Sequence, residues 1–298
     1  IVSQVRSNDS YAWTGHYNIN RNYTVNGLNQ QTAAGATALG YDGRGNLTSS
    51  EGSSFGYNRL NQLVTAPGGV SLVYDPAGRL SQLAAPGGTT RFAYAGSAMI
   101  QETNGSGIIL RRHVPGPGVD EPVVWYEGSA TTDRRWLHAD ERGSVIAVSN
   151  GSGAMLAINR YDEFGIPQST NAGRFQYTGQ MWLPELGIYS FKARMYSPTL
   201  GRFLQTDPIG YGDGMNWYNY VGGDPVNFAD PSGLGRQVWS DRNAYCAAHP
   251  PGTPYIFVRA TGRAFDGTYE EVTPTGGGGE CPGIDFNEFI AEAVRLSG

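Results

Sequence analysis

Lysine is almost missing from this chain, histidine and cysteine are scarce, and no long apolar run interrupts it. The 298 residues include 4 histidines and 2 cysteines, and Lys192 is the only lysine beside the arginines. Metal centres gather several His, Cys or carboxylate donors at short spacing. Cys246 and His249 have C-x-x-H spacing and Cys281 offers a third donor, but His16, His113 and His138 are scattered. No metal and no cofactor is therefore expected. The cysteines leave two readings open. One is a Cys246–Cys281 disulfide closing a loop of about 35 residues, worth about 3–4 kcal/mol in an oxidising compartment; the other is a pair of buried thiols. Basic charge does not dominate, with 21 Lys and Arg against 26 Asp and Glu and a net charge of −5. Without a basic field, neither nucleic acid nor an acidic membrane is expected as a partner. Apolar runs fall short of the roughly 18–20 residues that span a bilayer, and no signal-peptide pattern is present. Nucleophile elbows, phosphate loops and glycosidase motifs are also missing. The opening at Ile1 rather than Met points to processing or a fragment.

What is abundant is glycine, 43 residues, together with 12% aromatics and 39% apolar residues. Disordered chains have few aromatics and high net charge, whereas this mixture suits many short strands joined by glycine turns. A degenerate repeat supports that reading. Tyr41 opens YDGRGNL, Tyr57 opens YNRLNQL, Tyr74 opens YDPAGRL, and Tyr94 opens the worn copy YAGSAMI. Alternating segments such as Val70 to Tyr74 and Thr90 to Tyr94 follow Pro-Gly-Gly at 67–69 and 86–88. Alternation bounded by such turns predicts β-hairpins, and hairpins that bury one face must stack on their neighbours. The segments 111–127, 135–150 and 159–167 continue in the same style, the last carrying Tyr161-Asp162.

From 201 to 234 the texture is glycine-rich and aromatic, with Asp-Pro pairs at Asp207, Asp224 and Asp230 and an ending in D-P-S-G-L. The lack of helical periodicity suggests a fold-back plug. Asp-Pro is also an ordinary turn device, because the carboxylate caps the turn and Pro fixes the next φ. After Leu234 the composition shifts. Residues 235–298 hold 5 arginines and 8 acidic residues, a strand is expected at 255–259, and a helix is expected near the end, with Phe286, Phe289, Ile290, Ala293 and Val294 on one face. His249, Asp241, Asp266 and Glu270 are the groups there with chemical potential, but no constellation assigns them a role.

In the motifs GRFQYTGQ, LGIYSFKARMYSPTLGRFLQTDPIG, NWYNYVGGDP and DPSGL, in that order, the chain resembles RHS-repeat (YD-repeat) proteins, and residues 174–234 resemble their RHS-repeat-associated core domain. The GPGVDEP and HADERGSV segments fit the same family. The resemblance covers about residues 40–234. It implies a mainly β fold in which stacked antiparallel YD hairpins form part of a β-spiral shell closed by a core plug, with a small mixed tail containing one helix. The expected divisions are hairpin repeats at 1–170, the core at 171–234 and a variable region at 235–298. The resemblance further implies the C-terminal part of a secreted or surface-exposed bacterial scaffold for toxin encapsulation and delivery, with Ile1 an internal position. Its partners would be an upstream shell of the same polypeptide, further copies of the chain, or secretion machinery. Self-cleavage in the family is of aspartic-protease type. By motif, Asp207 and Asp230 map to the dyad, Arg202 to the assisting cation, and Leu234–Gly235 to the cleaved bond. The competing expectation is a structural or adhesive surface or filament protein on the same fold, in which no bond is broken.

Overall fold

The computed structural model describes residues 22–235, together with a strand pair, Pro254–Tyr255 and Gly279–Glu280. The helix expected near the C-terminus, and Cys246 and Cys281, lie outside the described residues. The chain divides into two compact units, Ile1–Arg236 and Gln237–Gly298. In the second, Pro254–Tyr255 pairs antiparallel with Gly279–Glu280.

The first unit is mainly β, as expected. Five strands, β1 (Tyr23–Val25) to β5 (Ser53–Ser54), form one antiparallel sheet in chain order. Eleven more, β6 (Gly56–Tyr57) to β16 (Met155–Ile158), form a second sheet, each strand pairing with its neighbour in sequence. A third sheet runs β17 (Met181–Leu183), β18 (Ile188–Phe191), β19 (Arg194–Ser197) and β20 (Arg202–Phe203).

The Tyr-Asp and Tyr-Asn pairs have a physical role in this stack. The Asp or Asn caps a tight loop by accepting backbone N–H groups two and four residues on. Asp42 Oδ1 takes Arg44 and Asn46, Asn58 Oδ1 takes Leu60 and Gln62, and Asp75 Oδ1 takes Ala77 and Arg79, all at 2.8–3.1 Å. The fourth loop residue is left-handed, with Gly45 at φ 85°, Gly78 at φ 81° and Asn61 at φ 59°, which explains Gly or Asn there. The tyrosine before the cap reaches back to the preceding copy. Tyr41, Tyr57, Tyr74 and Tyr94 donate their hydroxyls to the carbonyls of Gln31, Leu47, Leu63 and Leu80 at 2.8–3.0 Å. The worn copy thus keeps its tyrosine bond while Ala95 has lost the cap.

Each hydroxyl closes a hydrogen bond in a half-buried row, worth about 1 kcal/mol. Tyr74→Phe is therefore expected to lower stability by about 0.5–1.5 kcal/mol, read as a lower denaturant midpoint at constant slope. An unchanged midpoint would show the row to be decorative.

Apolar residues of the hairpins and of the third sheet share one core. Leu47, Leu63, Leu80, Leu83, Phe92 and Met99 form a single buried cluster with Met181, Leu183, Ile188, Met195 and Leu204. The third sheet is thus packed onto the hairpin wall by hydrophobic burial. On its other side Tyr177, Tyr189, Phe191, Tyr196, Phe203, Tyr220 and Val221 form a second buried cluster. Tyr177, Tyr196 and Tyr189 donate to three consecutive carbonyls, Glu163, Phe164 and Gly165, at 2.8–2.9 Å. Those carbonyls belong to the Tyr161-Asp162 loop, so the last loop of the hairpin series and the third sheet are joined through tyrosine. No helix among the described residues is long and apolar enough to cross a membrane.

Candidate functional site

The turn from β18 to β19 leads into Arg194, which is 1% exposed. Its guanidinium lies 3.7 Å from the centre of the Phe203 ring, and its Nη1 donates to the Trp217 carbonyl at 3.1 Å. The other terminal nitrogen faces two acids. Nη2 stands 2.9 Å from Asp207 Oδ2 and 3.5 Å from Asp230 Oδ2. Two carboxylates 23 residues apart in sequence therefore converge on one nitrogen, in a site where Asp207 is 7% and Asp230 1% exposed.

The segment after Asp230 folds around that acid. Asp230 Oδ1 accepts the N–H groups of Gly233 at 2.8 Å and Leu234 at 3.2 Å. Oδ2 accepts the N–H of Gly235 at 3.1 Å. The nitrogen of the Leu234–Gly235 peptide is thus held against one acid of the pair. The β18–β19 turn grips the same segment from outside, as Ala193 N–H donates to the Ser232 carbonyl at 3.2 Å and Arg194 Nε to the Gly233 carbonyl at 2.5 Å. Gly233 has to be glycine. It sits at φ 69°, and a Cβ there would come within 2.3 Å of the Phe191 carbonyl oxygen. Asp207 is fixed separately: its Oδ1 accepts the Ile209 N–H at 2.9 Å, and its own N–H donates to the Trp217 carbonyl.

Burial sets the electrostatics. It pushes both Asp207 and Asp230 above the ordinary carboxylate range, against the pull of backbone N–H groups and Arg194. Burial also lowers Arg194, which guanidinium basicity still leaves charged. A buried acid pair that resists full ionisation and faces a peptide nitrogen has the parts for acid–base attack on that peptide.

The motif-based assignment brought Asp207, Asp230 and Leu234–Gly235 together, and the structure places them together. It does not bring Arg202. Arg202 Nη1 donates to the Asn29 carbonyl at 3.3 Å, and its guanidinium lies 5.5 Å from the Tyr218 ring centre. The cation between the acids is Arg194. The cause is strand geometry. Phe191 pairs with Arg194 at the turn end of one hairpin and Ser197 with Arg202 at the turn end of the next, so the two arginines lie at opposite ends of β19, Arg202 against the first hairpins. Asp224, the third Asp-Pro acid, is taken up by Asn227 at 2.8–2.9 Å. Asp213 is the further carboxylate that acts on Asp207 and Arg194. Arg194 carries a faint sequence signal, as the one charged residue of β19, RMYS.

A second charged group, also missed, ties the sheets together. Glu102, on β11 (Ala98–Asn104), is fully buried. It meets His113 Nε2 at 2.9 Å, Arg174 Nη2 at 2.9 Å and Arg111 Nη1 at 3.5 Å. Burial alone would raise its carboxyl, but the His113 hydrogen bond and the Arg174 charge hold it down at about 2. Arg174 belongs to the GRFQYTGQ segment, so the pair links the hairpin wall to the approach of the third sheet.

No family model matches the chain. The tRNA3(Ser)-specific nuclease WapA of Bacillus spizizenii is 30% identical over 246 residues, 76% of this chain and 10% of WapA. Toxin subunit YenC2 of Yersinia entomophaga is 27% identical over 123 residues, 39% of this chain and 13% of that subunit. Among solved structures, the Photorhabdus luminescens Tc holotoxin pore aligns with a TM-score of 0.53 at 18% identity, over 74% of this chain and 13% of that one. By fold, the class is that of β-rich proteins similar to Tc toxin structures. The relatives support a relation to RHS-type toxin proteins. The chain spans about a tenth of the length of WapA.

Proposed function

We infer that this chain is the closing segment of a secreted or surface-exposed bacterial RHS scaffold, and that it cuts itself between Leu234 and Gly235 to release its C-terminal region. The observation that carries this reading is the meeting of Asp207 and Asp230 on Arg194 while Asp230 holds the Gly235 N–H. The Tyr-Asp loops are read here as YD repeats, because each one caps a loop and ties it to the copy before. The relatives support a delivery role, since one is named a tRNA nuclease and another a toxin subunit.

The proposed reaction uses this geometry. The acid pair shares a proton, and its ionised member takes a proton from water as the water oxygen attacks the Leu234 carbonyl carbon. The pair returns a proton to the Gly235 nitrogen as the C–N bond breaks, leaving a Leu234 carboxyl group and a Gly235 amine. Arg194 keeps one carboxylate charged and holds the Gly233 carbonyl, so it serves both electrostatics and alignment.

Mass spectrometry of the intact purified chain tests the reading. After incubation at mildly acidic pH, fragments ending at Leu234 and beginning at Gly235 are expected. One uncut mass throughout would leave the structural or adhesive scaffold as the function.

A further inference from the structure

The turn that holds the cleavage segment makes a third contact. Ala193 and Arg194 bind the carbonyls of Ser232 and Gly233, and Lys192 Nζ donates to the carbonyl of Pro231. Three consecutive residues therefore grip three consecutive carbonyls, which fixes the register of the chain between Asp230 and Leu234.

Lys192 does not stand alone. Its Nζ lies 2.5 Å from Asp120 Oδ1, and Asp120 Oδ2 accepts Gln180 Nε2 at 2.6 Å. Asp120 comes from the GPGVDEP loop, between β12 (Ile109–Pro115) and β13 (Pro122–Glu127). That loop is therefore part of the hairpin wall, 72 residues from Lys192 in sequence.

Both members of the ion pair occupy backbone that side chains other than glycine avoid. Lys192 is at φ 62° and Asp120 at φ 57°, a strained conformation for an L-residue with a Cβ. The surroundings hold Asp120 there. Gly179, at φ 70°, lets the Asp120 carbonyl in so closely that a Cβ would stand 2.0 Å from its oxygen. Such strain persists only where the structure over-determines it, and it clusters at functional sites.

We propose that Asp120 is a positioning residue for the cut, orienting Lys192 on the Pro231 carbonyl so that the hairpin wall sets the register of the Leu234–Gly235 bond. This rests on the self-cleavage reading above. It makes cleavage conditional on a formed wall, because the segment is fully clamped only when the GPGVDEP loop is in place.

The test uses the full chain and three variants. Lys192→Met and Asp120→Asn are each expected to slow cleavage about 10–100-fold, the scale set by small misplacements of reacting groups. Lys192→Arg, which keeps both the donor and the charge, is expected to restore the rate to within a few-fold, with melting midpoints near wild type throughout. Wild-type rates in both Lys192→Met and Asp120→Asn would overturn the proposal, as would a Lys192→Arg chain as slow as Lys192→Met. Hydrogen exchange separates this proposal from the reading beneath it. In an Asp207→Asn background, Lys192→Met should speed exchange at the amides of 232–235 about tenfold, the size expected when one well-formed hydrogen bond is lost. Unchanged exchange would overturn the clamp whether or not the chain cuts itself. A wild-type chain that never cuts, with exchange altered as stated, would overturn the self-cleavage reading and leave the clamp standing.

Discussion

Asn at position 207 or 230 is expected to slow production of the Leu234 fragment by about 10²–10⁴-fold, the usual contribution of a positioned acid or base. Neither change should unfold the chain. Asn keeps an oxygen that can accept the Gly233 and Leu234 N–H groups now bound by Asp230 Oδ1, and likewise the Ile209 N–H bound by Asp207. Intact mass over time gives the rate and a thermal melt controls for folding. Cleavage at the wild-type rate in both variants would remove the assignment. The pH dependence has a definite sign. Both acids are raised by burial, so the singly protonated pair persists to higher pH than ordinary carboxylates allow. The rate should fall as pH rises through the upper titration of the pair and fall again in strong acid, giving a bell whose limits belong to the pair as a whole.

Glu102→Ala carries the largest expected loss of stability. It leaves Arg174 and His113 buried without their shared anion, and breaking a buried pair from one side costs about 3–5 kcal/mol. Urea unfolding should show a lower midpoint, and a loss under 1 kcal/mol would mean that the cluster relaxes or hydrates freely. Acid gives an independent check. Because Glu102 is held near 2, below its unfolded value, its stabilisation is present above that unfolded value and fades as pH falls towards about 2. The size is on the order of 3 kcal/mol, from about 1.4 kcal/mol per pH unit. Asp207 and Asp230 have the opposite sign: their raised values favour the folded state below the ordinary carboxylate range, and that benefit is lost as pH rises through the folded values.

Hairpins were legible in the sequence because their signal is local. A tyrosine, a capping Asp or Asn and a left-handed Gly or Asn all fall within about one loop, and alternation supplies the strands. The acid pair was legible only through motif resemblance, since Asp-Pro by itself describes any turn. The cation was not legible. Arg194 and Arg202 flank the same short stretch, and only their folded contacts, Arg194 with Gly233 and Arg202 with Asn29, show which faces the DPSGL segment. Glu102 and Arg174 are 72 residues apart, and a buried charge in a strand is spelled like an exposed one. Asp120 and Lys192 lay hidden for a similar reason: loop acids usually end turns, and a lone lysine announces nothing.

The in-order pairing of the strands bears on how such a chain can be made. Every rung of the two hairpin sheets joins segments adjacent along the polypeptide, so a chain emerging end-first can zip each new hairpin onto the last without waiting for distant sequence. The seal is different. Tyr218 reaches Gly45 across 173 residues and Gln30 across 188, so these bonds form only after nearly everything between has been synthesised. Assembly therefore carries its own clock, and the lid is fastened late.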